Sequence, residues 1–308
     1  MGPVVENLNS LVIFTRAVEA KSLTAAARSL RISASAVSKH IARLETSVGA
    51  PLFNRSTRKL VLTEYGKLLY QRCTRAVHEL EDAQTSLKGM NRGLTGTLRM
   101  HVTPGIGQRF VEPAVVQFMK RHGDLSLDLS MSAEILNPLD HGYDVTIRSG
   151  SSEDRNIGHS SLSYREFGPL RYLICASPEY IKNHGIPAEP RDLVKHNCLV
   201  QKTQDSDTGW WFLGPKGKYS VPVSGNIVSN SHTTIYEAAL AGLGIARLMT
   251  FEANEARNLG KLKFLFEDEI RSERLIRAFY PRTNPASEKV RRFLDFLSEH
   301  LAKGNHIE

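Results

Sequence analysis

Cysteine is scarce in this 308-residue sequence, and its scarcity excludes several classes of protein. The three cysteines stand far apart, at Cys73, Cys175 and Cys198. Their odd number and wide spacing fit neither a disulfide framework nor a zinc knuckle. We therefore expect reduced thiols in a cytoplasmic protein that holds no metal.

Long apolar runs and the common catalytic motifs are also missing. No stretch approaches the roughly 20 apolar residues that cross a bilayer, and the first ten residues lack the basic and apolar regions of a secretory signal. P-loop, G-x-S-x-G and H-E-x-x-H motifs are absent from the sequence. We therefore expect no membrane partner, no cofactor and no catalytic residues.

Acidic residues are rare in the first third of the chain, where positive charge is concentrated. Residues 1–92 hold 14 Lys and Arg against 7 Asp and Glu, so they carry nearly all of the net charge of +8. Residues 20–60 contain eight basic residues and a single acidic one, Glu45. A concentrated basic segment of this kind is typical of proteins that bind duplex nucleic acid.

The stretch 22–45 holds two short helical patterns separated by three residues. Apolar residues recur at helical spacing in both: Leu23, Ala27 and Leu30 in the first, and Val37, Ile41, Leu44 and Val48 in the second. Ser22 and Ser33 precede the two patterns as N-cap residues. Two helices joined by so short a turn form a helix-turn-helix, here from Ser22 to Ile41. An amphipathic helix over 8–21 would complete its core.

The outward side of the second helix carries small, hydroxyl and basic residues. Such a side can lie close to the bases of a major groove. Two short strands, 52–55 and 59–62, would follow as a wing with a basic tip beside the phosphates. The predicted DNA contacts are Ser33, Ala34, Ser35, Ser38, Lys39, Arg43, Arg55, Arg58 and Lys59. The alternative is an ordinary helical hairpin with a solvated polar face.

Thr63 is positioned to cap a long helix that ends near Met90. The apolar residues of this helix recur at alternating steps of four and three, as in a coiled-coil seam. They are Leu69, Cys73, Ala76, Leu80, Ala83 and Leu87. We predict that two copies of the chain pair along this seam, and the alternative is a helix packed on its own domain. Three glycines in 89–96 then mark a hinge.

Beyond the hinge, strand-like and helical segments alternate, which predicts an α/β sheet domain. The predicted strands are 97–102, 125–131, 143–148, 172–176, 227–229, 244–248 and 275–280. The predicted helices are 110–122, a short one after Pro178, 233–241 and 287–301. We interpret 103–107 as a turn. The length allows one domain or two lobes, and periodicity does not decide between them.

Two strand-to-helix turns, 103–107 and 230–233, offer backbone N–H groups and hydroxyls that suit a carboxylate or another anion. Arg148, at the end of a strand, could add a bidentate contact. The candidate small-molecule contacts are Thr103, Ile106, Arg148, Ser149, Asn230, Ser231, His232 and Gly244. The alternative is that the hydroxyl residues are plain helix caps and that Arg148 belongs to a structural ion pair.

With these patterns in place, the chain resembles the LysR-type transcriptional regulators. The N-terminal matches to the family pattern are Phe14, Ala26, Ala27, Leu30, Ser33, Ser35, Ala36, Ser38, Ile41, Leu44, Glu45, Gly49, Pro51, Leu52, Phe53, Arg55, Leu62, Thr63 and Gly66. One position departs from the pattern, because many members carry Gln directly after the capping Ser, where this chain has Ala34. Base contact would then fall to Ser35, Ser38, Lys39 and the wing.

The rest of the chain is similar to the effector-binding domain of that family, notably over 142–148, 176–180 and 242–246. The resemblance implies an α/β fold with an N-terminal all-α winged helix-turn-helix and a long linker helix. It also implies two α/β lobes of the type II periplasmic-binding-protein kind, with a ligand cleft between them, where the candidate small-molecule contacts would bind an effector. The implied domains are 1–62 (winged helix-turn-helix), 63–93 (linker helix and hinge) and 94–308 (effector domain), with lobe 1 at about 94–167 and 270–303 and lobe 2 at about 168–269.

The function we expect is that of a sequence-specific DNA-binding transcriptional regulator, not an enzyme, whose activity a small molecule modulates. Its partners would be double-stranded operator DNA, an anionic or aromatic effector, further copies of the chain in a homodimer or homotetramer, and RNA polymerase. The competing hypothesis is a small-molecule-binding protein or enzyme whose N-terminal helices serve only assembly. The basic outward side of the second helix favours the regulator, since assembly does not need it.

Overall fold

The computed structural model describes residues 8–54, 60–88, 94–150, 161–202, 209–267, 273–282 and 287–303, with the main chain alone at 75, 79, 81–88 and 273. The chain divides into two compact units. The first unit holds Met1–Arg99, His122–Asp128 and Leu136–Asp144, and the second holds Met100–Arg121, Leu129–Ile135 and Val145–Glu308. The predicted domain boundaries at 62 and 93 stay predictions.

The described elements follow the predicted order, helical first and mixed afterwards. The helices are α1 (Leu8–Glu19), α2 (Leu23–Leu30), α3 (Ala34–Val48), α4 (Glu64–Lys88), α5 (Pro104–Ile106), α6 (Glu112–Arg121), α7 (Pro138–His141), α8 (Pro178–His184), α9 (His232–Leu240), α10 (Thr250–Asn258) and α11 (Glu288–Lys303). The strands are β1 (Phe53–Asn54), β2 (Val61–Leu62), β3 (Gly96–Val102), β4 (Leu125–Met131), β5 (Val145–Gly150), β6 (Leu162–Ala176), β7 (Cys198–Gln201), β8 (Gly209–Gly214), β9 (Gly217–Pro222), β10 (Val228–Ser229), β11 (Ile245–Met249), β12 (Lys263–Leu265) and β13 (Glu273–Pro281).

The helix-turn-helix closes over a core to which its three helices and the segment after them contribute. Phe14 of α1, Val37 of α3 and Leu52 before β1 are fully buried in this core. The Oγ atoms of Ser22 and Ser33 each accept a hydrogen bond from a backbone N–H in the first turn of the following helix. Both predicted N-caps are therefore confirmed.

The long helix α4 packs on the helix-turn-helix through its first turns. The Oγ1 atom of Thr63 accepts a hydrogen bond from the N–H of Gly66 at 3.0 Å, which confirms the predicted cap. Further along, Thr74, Val77 and His78 are buried on one side of the helix. Among the described helices, none combines the length and the apolar composition that a bilayer span requires.

A mixed sheet of nine strands runs through the described part of the remaining chain. Its order is β10-β7-β11-β6-β13-β5-β3-β4, and β12 also pairs with β6. The long strand β6 pairs with β13 over its first part and with β11 and β12 over residues 172–176. This strand therefore joins two groups of strands, β3–β5 and β7 with β10–β12, which form the two lobes.

Residues 103–107, interpreted from the sequence as a turn, are mostly helical. Helix α5 begins at Pro104 and continues through a π-helical turn, Gly107–Val111, into α6. Proline suits the first helical position because its ring fixes φ and its missing N–H has no partner to lose there. The structure also contains elements that the sequence did not predict, namely α7, β7, β8, β9, α10, β12 and the first part of β6.

Candidate DNA-binding surface and effector cavity

The outer face of α3, defined as Ser35, Ser38, Lys39, Ala42 and Arg43, is exposed along its whole length. The opposite side of the helix is buried in the core of the helix-turn-helix. Within the described residues, no carboxylate is paired with either basic side chain of this face. Small side chains with two uncompensated cations form a surface that can approach a duplex closely.

Glu45, the single acidic residue of α3, is turned toward the wing. Its carboxylate accepts hydrogen bonds from the N–H groups of Leu52 at 2.7 Å and Phe53 at 3.3 Å. These bonds fix the entry into β1 and offset the negative charge. The outer face consequently carries no acidic residue that would repel phosphates. This role of Glu45 was not predicted from the sequence, although Glu45 is the only acidic residue of the basic segment 20–60.

The hydroxyl groups at the start of α3 are held by the helix itself. The Oγ atom of Ser33, besides capping the helix, lies 2.9 Å from the Oγ of Ser35. The Oγ of Ser38 donates to the carbonyl of Ala34 at 3.1 Å. All four of these residues are exposed, so the predicted contacts on α3 form one continuous surface.

The wing is described at its base only. Phe53 pairs with Leu62 and Asn54 with Val61 in an antiparallel register, as a hairpin requires. The predicted contacts at its tip, Arg55, Arg58 and Lys59, lie outside the described residues.

A cavity of about 340 Å³ opens in the second unit and is lined from both lobes. One lobe contributes the start of α5, the segment after β4 and the end of β5. The other contributes Tyr172 of β6, the end of β7, the start of α9 and two residues of β11. This volume lies in the range of small-molecule sites.

Seven of the eight predicted effector contacts line this cavity. They are Thr103, Ile106, Arg148, Ser149, Asn230, Ser231 and His232. Gly244 is not among the lining residues. It packs against Leu199, whose side-chain carbons would lie 3.0 Å from a Cβ added at this position. The structure therefore brings together the two predicted turns and Arg148, and it leaves Gly244 in a packing position.

The hydroxyl groups of Ser231 and Thr103, one in each turn, have different hydrogen-bonding roles. The Oγ of Ser231 caps α9 by accepting a hydrogen bond from the N–H of Thr234 at 3.3 Å. Thr103 holds the N-cap position of α5 without a side-chain cap bond. The plain-cap alternative therefore describes Ser231, whereas the hydroxyl of Thr103 is left for the cavity.

Three cations of the cavity, Lys202, Arg247 and Arg274, were not predicted from the sequence. The guanidinium of Arg247 lies over the ring of Tyr172, 5.1 Å from the ring centroid. Burial lowers the pKa of Arg247 below its usual value, and the charge of Arg274 acts in the same direction. No described lining residue is Asp or Glu. With Arg148, four cationic side chains therefore line the described part of the cavity.

His232, another residue of the cavity lining, is buried and contacts Glu252 through its Nε2 atom. This contact fixes the imidazole at the start of α9. Among the described residues, no group of three His, Cys, Asp or Glu side chains is placed to hold a metal ion.

An exposed helix-turn-helix face, together with a ligand-sized cavity in a two-lobed α/β domain, defines a DNA-binding regulator that responds to a small molecule. Residues 8–67 match the model of the bacterial regulatory helix-turn-helix protein of the LysR family, and residues 91–302 match the LysR substrate-binding domain. The chain belongs to the LysR family of transcriptional regulators. The predicted family, fold class and general function are thereby confirmed.

Individual relatives and structures agree with this assignment. The transcriptional activator AaeR of Escherichia coli is 30% identical over 300 residues, which cover 97% of this chain and 95% of AaeR. An HTH-type regulator of Haemophilus influenzae is 32% identical over 285 residues, covering 92% and 97% of the two chains. The full-length Vibrio cholerae virulence activator AphB has a TM-score of 0.63 at 28% identity, covering 94% and 98%. The Neisseria meningitidis LysR-type regulator CrgA has a TM-score of 0.60 at 29% identity, covering 95% and 98%.

Proposed function

We propose that the outer face of α3 enters the major groove of operator DNA while the wing contacts the adjacent backbone. The observation that carries this proposal is the acid-free, uncovered face with Lys39 and Arg43 side by side. Ser33 and Ala34 at the start of the helix and Arg55, Arg58 and Lys59 of the wing complete the proposed contact set. Base contacts supply sequence preference, and phosphate contacts supply affinity that falls with salt.

Fluorescence anisotropy with a duplex from the protein's own promoter region, at two salt concentrations, tests this assignment. Lys39→Ala and Arg43→Ala should each weaken binding roughly five- to tenfold, and loss of a phosphate contact should reduce the salt slope by about one. Lys263→Ala removes the same charge from an exposed strand position in the other unit and should bind like wild type. Wild-type affinity in both α3 variants would show that the outer face is not the contact surface.

The self-association that we propose is pairing along α4. Cys73 is partly exposed, and Ala76 and Leu80 are exposed, so this part of the apolar seam is left uncovered within one chain. A homodimer would present two outer faces to two half-sites on a duplex, and a homotetramer would present four. RNA polymerase is the remaining partner that we propose for this cytoplasmic regulator.

The cavity of the second unit is the proposed effector site. Its volume, its lining from both lobes and the cap-free hydroxyl of Thr103 support this role. A ligand that contacts both lobes can change their relative position and so alter the DNA-bound assembly. In a thermal-shift screen, a true effector should raise the melting temperature of wild type more than that of Thr103→Ala. Equal stabilisation of both proteins would argue against a Thr103 contact.

A further inference from the structure

We propose that the cavity accepts a small monocarboxylate with an apolar body, and that Arg247 binds its carboxylate. This inference rests on the proposed effector role of the cavity and adds the chemical class of the ligand and the residue that anchors it. A short aliphatic acid or a simple aromatic acid has the required chemistry. Three observations carry the proposal: the surroundings of Arg247, the donors that the same lobe places around the cavity, and the apolar residues of the other lobe.

The position of Arg247 is set by the pairing of β11 with β6. Met249 lies directly opposite Tyr172, and Arg247 lies opposite Ile174. Residues two apart on a strand share a face, so Arg247 and Met249 line the cavity together with Tyr172. The guanidinium packs over the face of the Tyr172 ring, and this contact orients it within the cavity.

The guanidinium of Arg247 keeps its hydrogen-bond donors for a ligand. Within the described chain it packs on a neutral ring, and no carboxylate or carbonyl oxygen accepts one of its N–H groups. Burial lowers the pKa of Arg247, because the partly buried guanidinium is poorly hydrated. A planar guanidinium in such surroundings can bind one carboxylate through two parallel hydrogen bonds.

Further donors of the same lobe line the cavity. Lys202 is exposed directly after β7, and its backbone N–H donates to the carbonyl of Ser229 at 2.8 Å, beside the turn that begins α9. At this turn the Oγ of Ser231 caps the third N–H of α9. The first two N–H groups, those of His232 and Thr233, have no partner within the helix. An ammonium group and a helix start therefore add to the positive potential that this lobe offers an anion.

The other lobe supplies apolar residues of the lining. Ile106 of α5 is buried, and Ala133 and Ile135 follow β4. Arg148 and Arg274 also line the cavity, and both already interact with other residues of the chain. The carboxylate is therefore assigned to the lobe of β11, and the apolar body to the lobe of α5. A cavity of about 340 Å³ has room for a compact acid in this orientation.

Matched acids and amides test the proposal on the full-length protein. Hexanoate and benzoate are compared with hexanamide and benzamide, which keep the apolar body without the charge, by calorimetric titration at constant ionic strength. The proteins are wild type, Arg247→Met, which removes the charge from a flexible side chain, and Lys263→Met as an exposed control with the same charge change. Arg247→Lys keeps the charge without the planar fork. Circular dichroism and thermal unfolding verify that each variant is folded.

We expect at least one acid to bind wild type roughly tenfold more tightly than its amide, or better. Arg247→Met should reduce this preference to less than about threefold, Arg247→Lys should retain part of it, and Lys263→Met should retain all of it. Equal affinity for acid and amide, a preference that survives Arg247→Met, or no binding by either acid would overturn the inference. Amide binding that equals acid binding and is lost in Thr103→Ala would leave the effector site standing and refute the carboxylate anchor alone.

Discussion

Gly142 shows how a single residue determines packing in the first unit. It ends α7 in the left-handed region, at φ 70° and ψ 21°, which residues with a Cβ adopt at a cost. A Cβ at this position would overlap the methyl group of Thr74 and lie 3.3 Å from Cε1 of His78. Gly49 at the end of α3 has nearly the same backbone angles, φ 75° and ψ 16°, but nothing within 4 Å of an added Cβ.

Gly142→Ala should therefore cost more stability than Gly49→Ala. Both substitutions lose about 1 kcal/mol to the left-handed conformation. Gly142→Ala should lose roughly a further 1–3 kcal/mol because Thr74 must move. Urea denaturation followed by circular dichroism measures the two differences in unfolding free energy. Equal losses would mean that the contact between Gly142 and α4 does not constrain the fold.

At the scale of secondary-structure elements, the side chains of Glu19 and His78 join α1 to α4. The Nε2–H of His78 donates to Glu19 Oε1 at 2.8 Å, and Arg16 lies 2.6 Å from the other carboxylate oxygen. Burial raises the pKa of Glu19, but the hydrogen bond from His78 and the charge of Arg16 outweigh it and hold the pKa below its usual value of 4.5. The folded state thus favours the carboxylate, and the junction stabilises the protein above this pH.

The stabilisation by Glu19 should disappear in acid. Because its folded-state pKa is depressed, the contribution is complete above pH 4.5 and falls as the pH drops through the folded-state value. Glu19→Gln should be about 1 kcal/mol less stable than wild type at pH 6, with the difference shrinking below pH 4.5. Urea denaturation is followed by circular dichroism and not by tryptophan fluorescence, because both tryptophans lie in β8 of the other unit, far along the chain from α1 and α4. A difference that stays constant from pH 6 to pH 3 would contradict the assigned ionisation.

Elements with local signals were predictable from the sequence, and elements that depend on distant partners were not. Ser22 and Ser33 mark helix starts by short-range chemistry, and the structure places both as the predicted caps. In the hairpin of β8 and β9, Trp210 is buried and Trp211 is exposed. The sequence of so short an apolar run does not distinguish a strand from a buried helical segment. Strand β6 has no regular alternation of burial, since its two parts pair with different strands.

The same distinction applies to the cavity. Thr103, Arg148 and His232 were predictable because strand ends and helix starts are recognisable locally. Arg247 and Tyr172 lie within strands, and they meet only because β11 pairs antiparallel with β6 over a distance of some 70 residues along the chain. No spacing pattern in the sequence indicates such a pairing.

At the scale of the whole molecule, part of the apolar seam of α4 lies outside the hydrophobic core of its own chain. Leu80 is 45% exposed although it stands in the seam, whereas Val77 is buried within the chain. Leu80→Asp should dissociate the proposed dimer, because a carboxylate in an apolar seam lacks a partner. Sedimentation velocity should show a monomer for this variant and a dimer or tetramer for wild type.

Gln71→Asp is the matched control, since Gln71 is an exposed residue of the same helix outside the seam. This variant should assemble like wild type. Assembly that is unchanged in Leu80→Asp, or lost equally in Gln71→Asp, would remove α4 as the proposed pairing helix.

The positive charge of this molecule is concentrated at its N-terminal end, which carries the helix-turn-helix. Residues 1–92 hold 14 basic and 7 acidic residues. Pairing along α4 would place two such ends on one duplex. The most direct measurement is hydroxyl-radical footprinting of wild type and Lys39→Ala on the promoter duplex. We predict two protected segments on one side of the duplex, about 10 base pairs or a multiple apart, both weakened together by Lys39→Ala. A single protected segment, or protection that Lys39→Ala leaves unchanged, would contradict the paired insertion of α3.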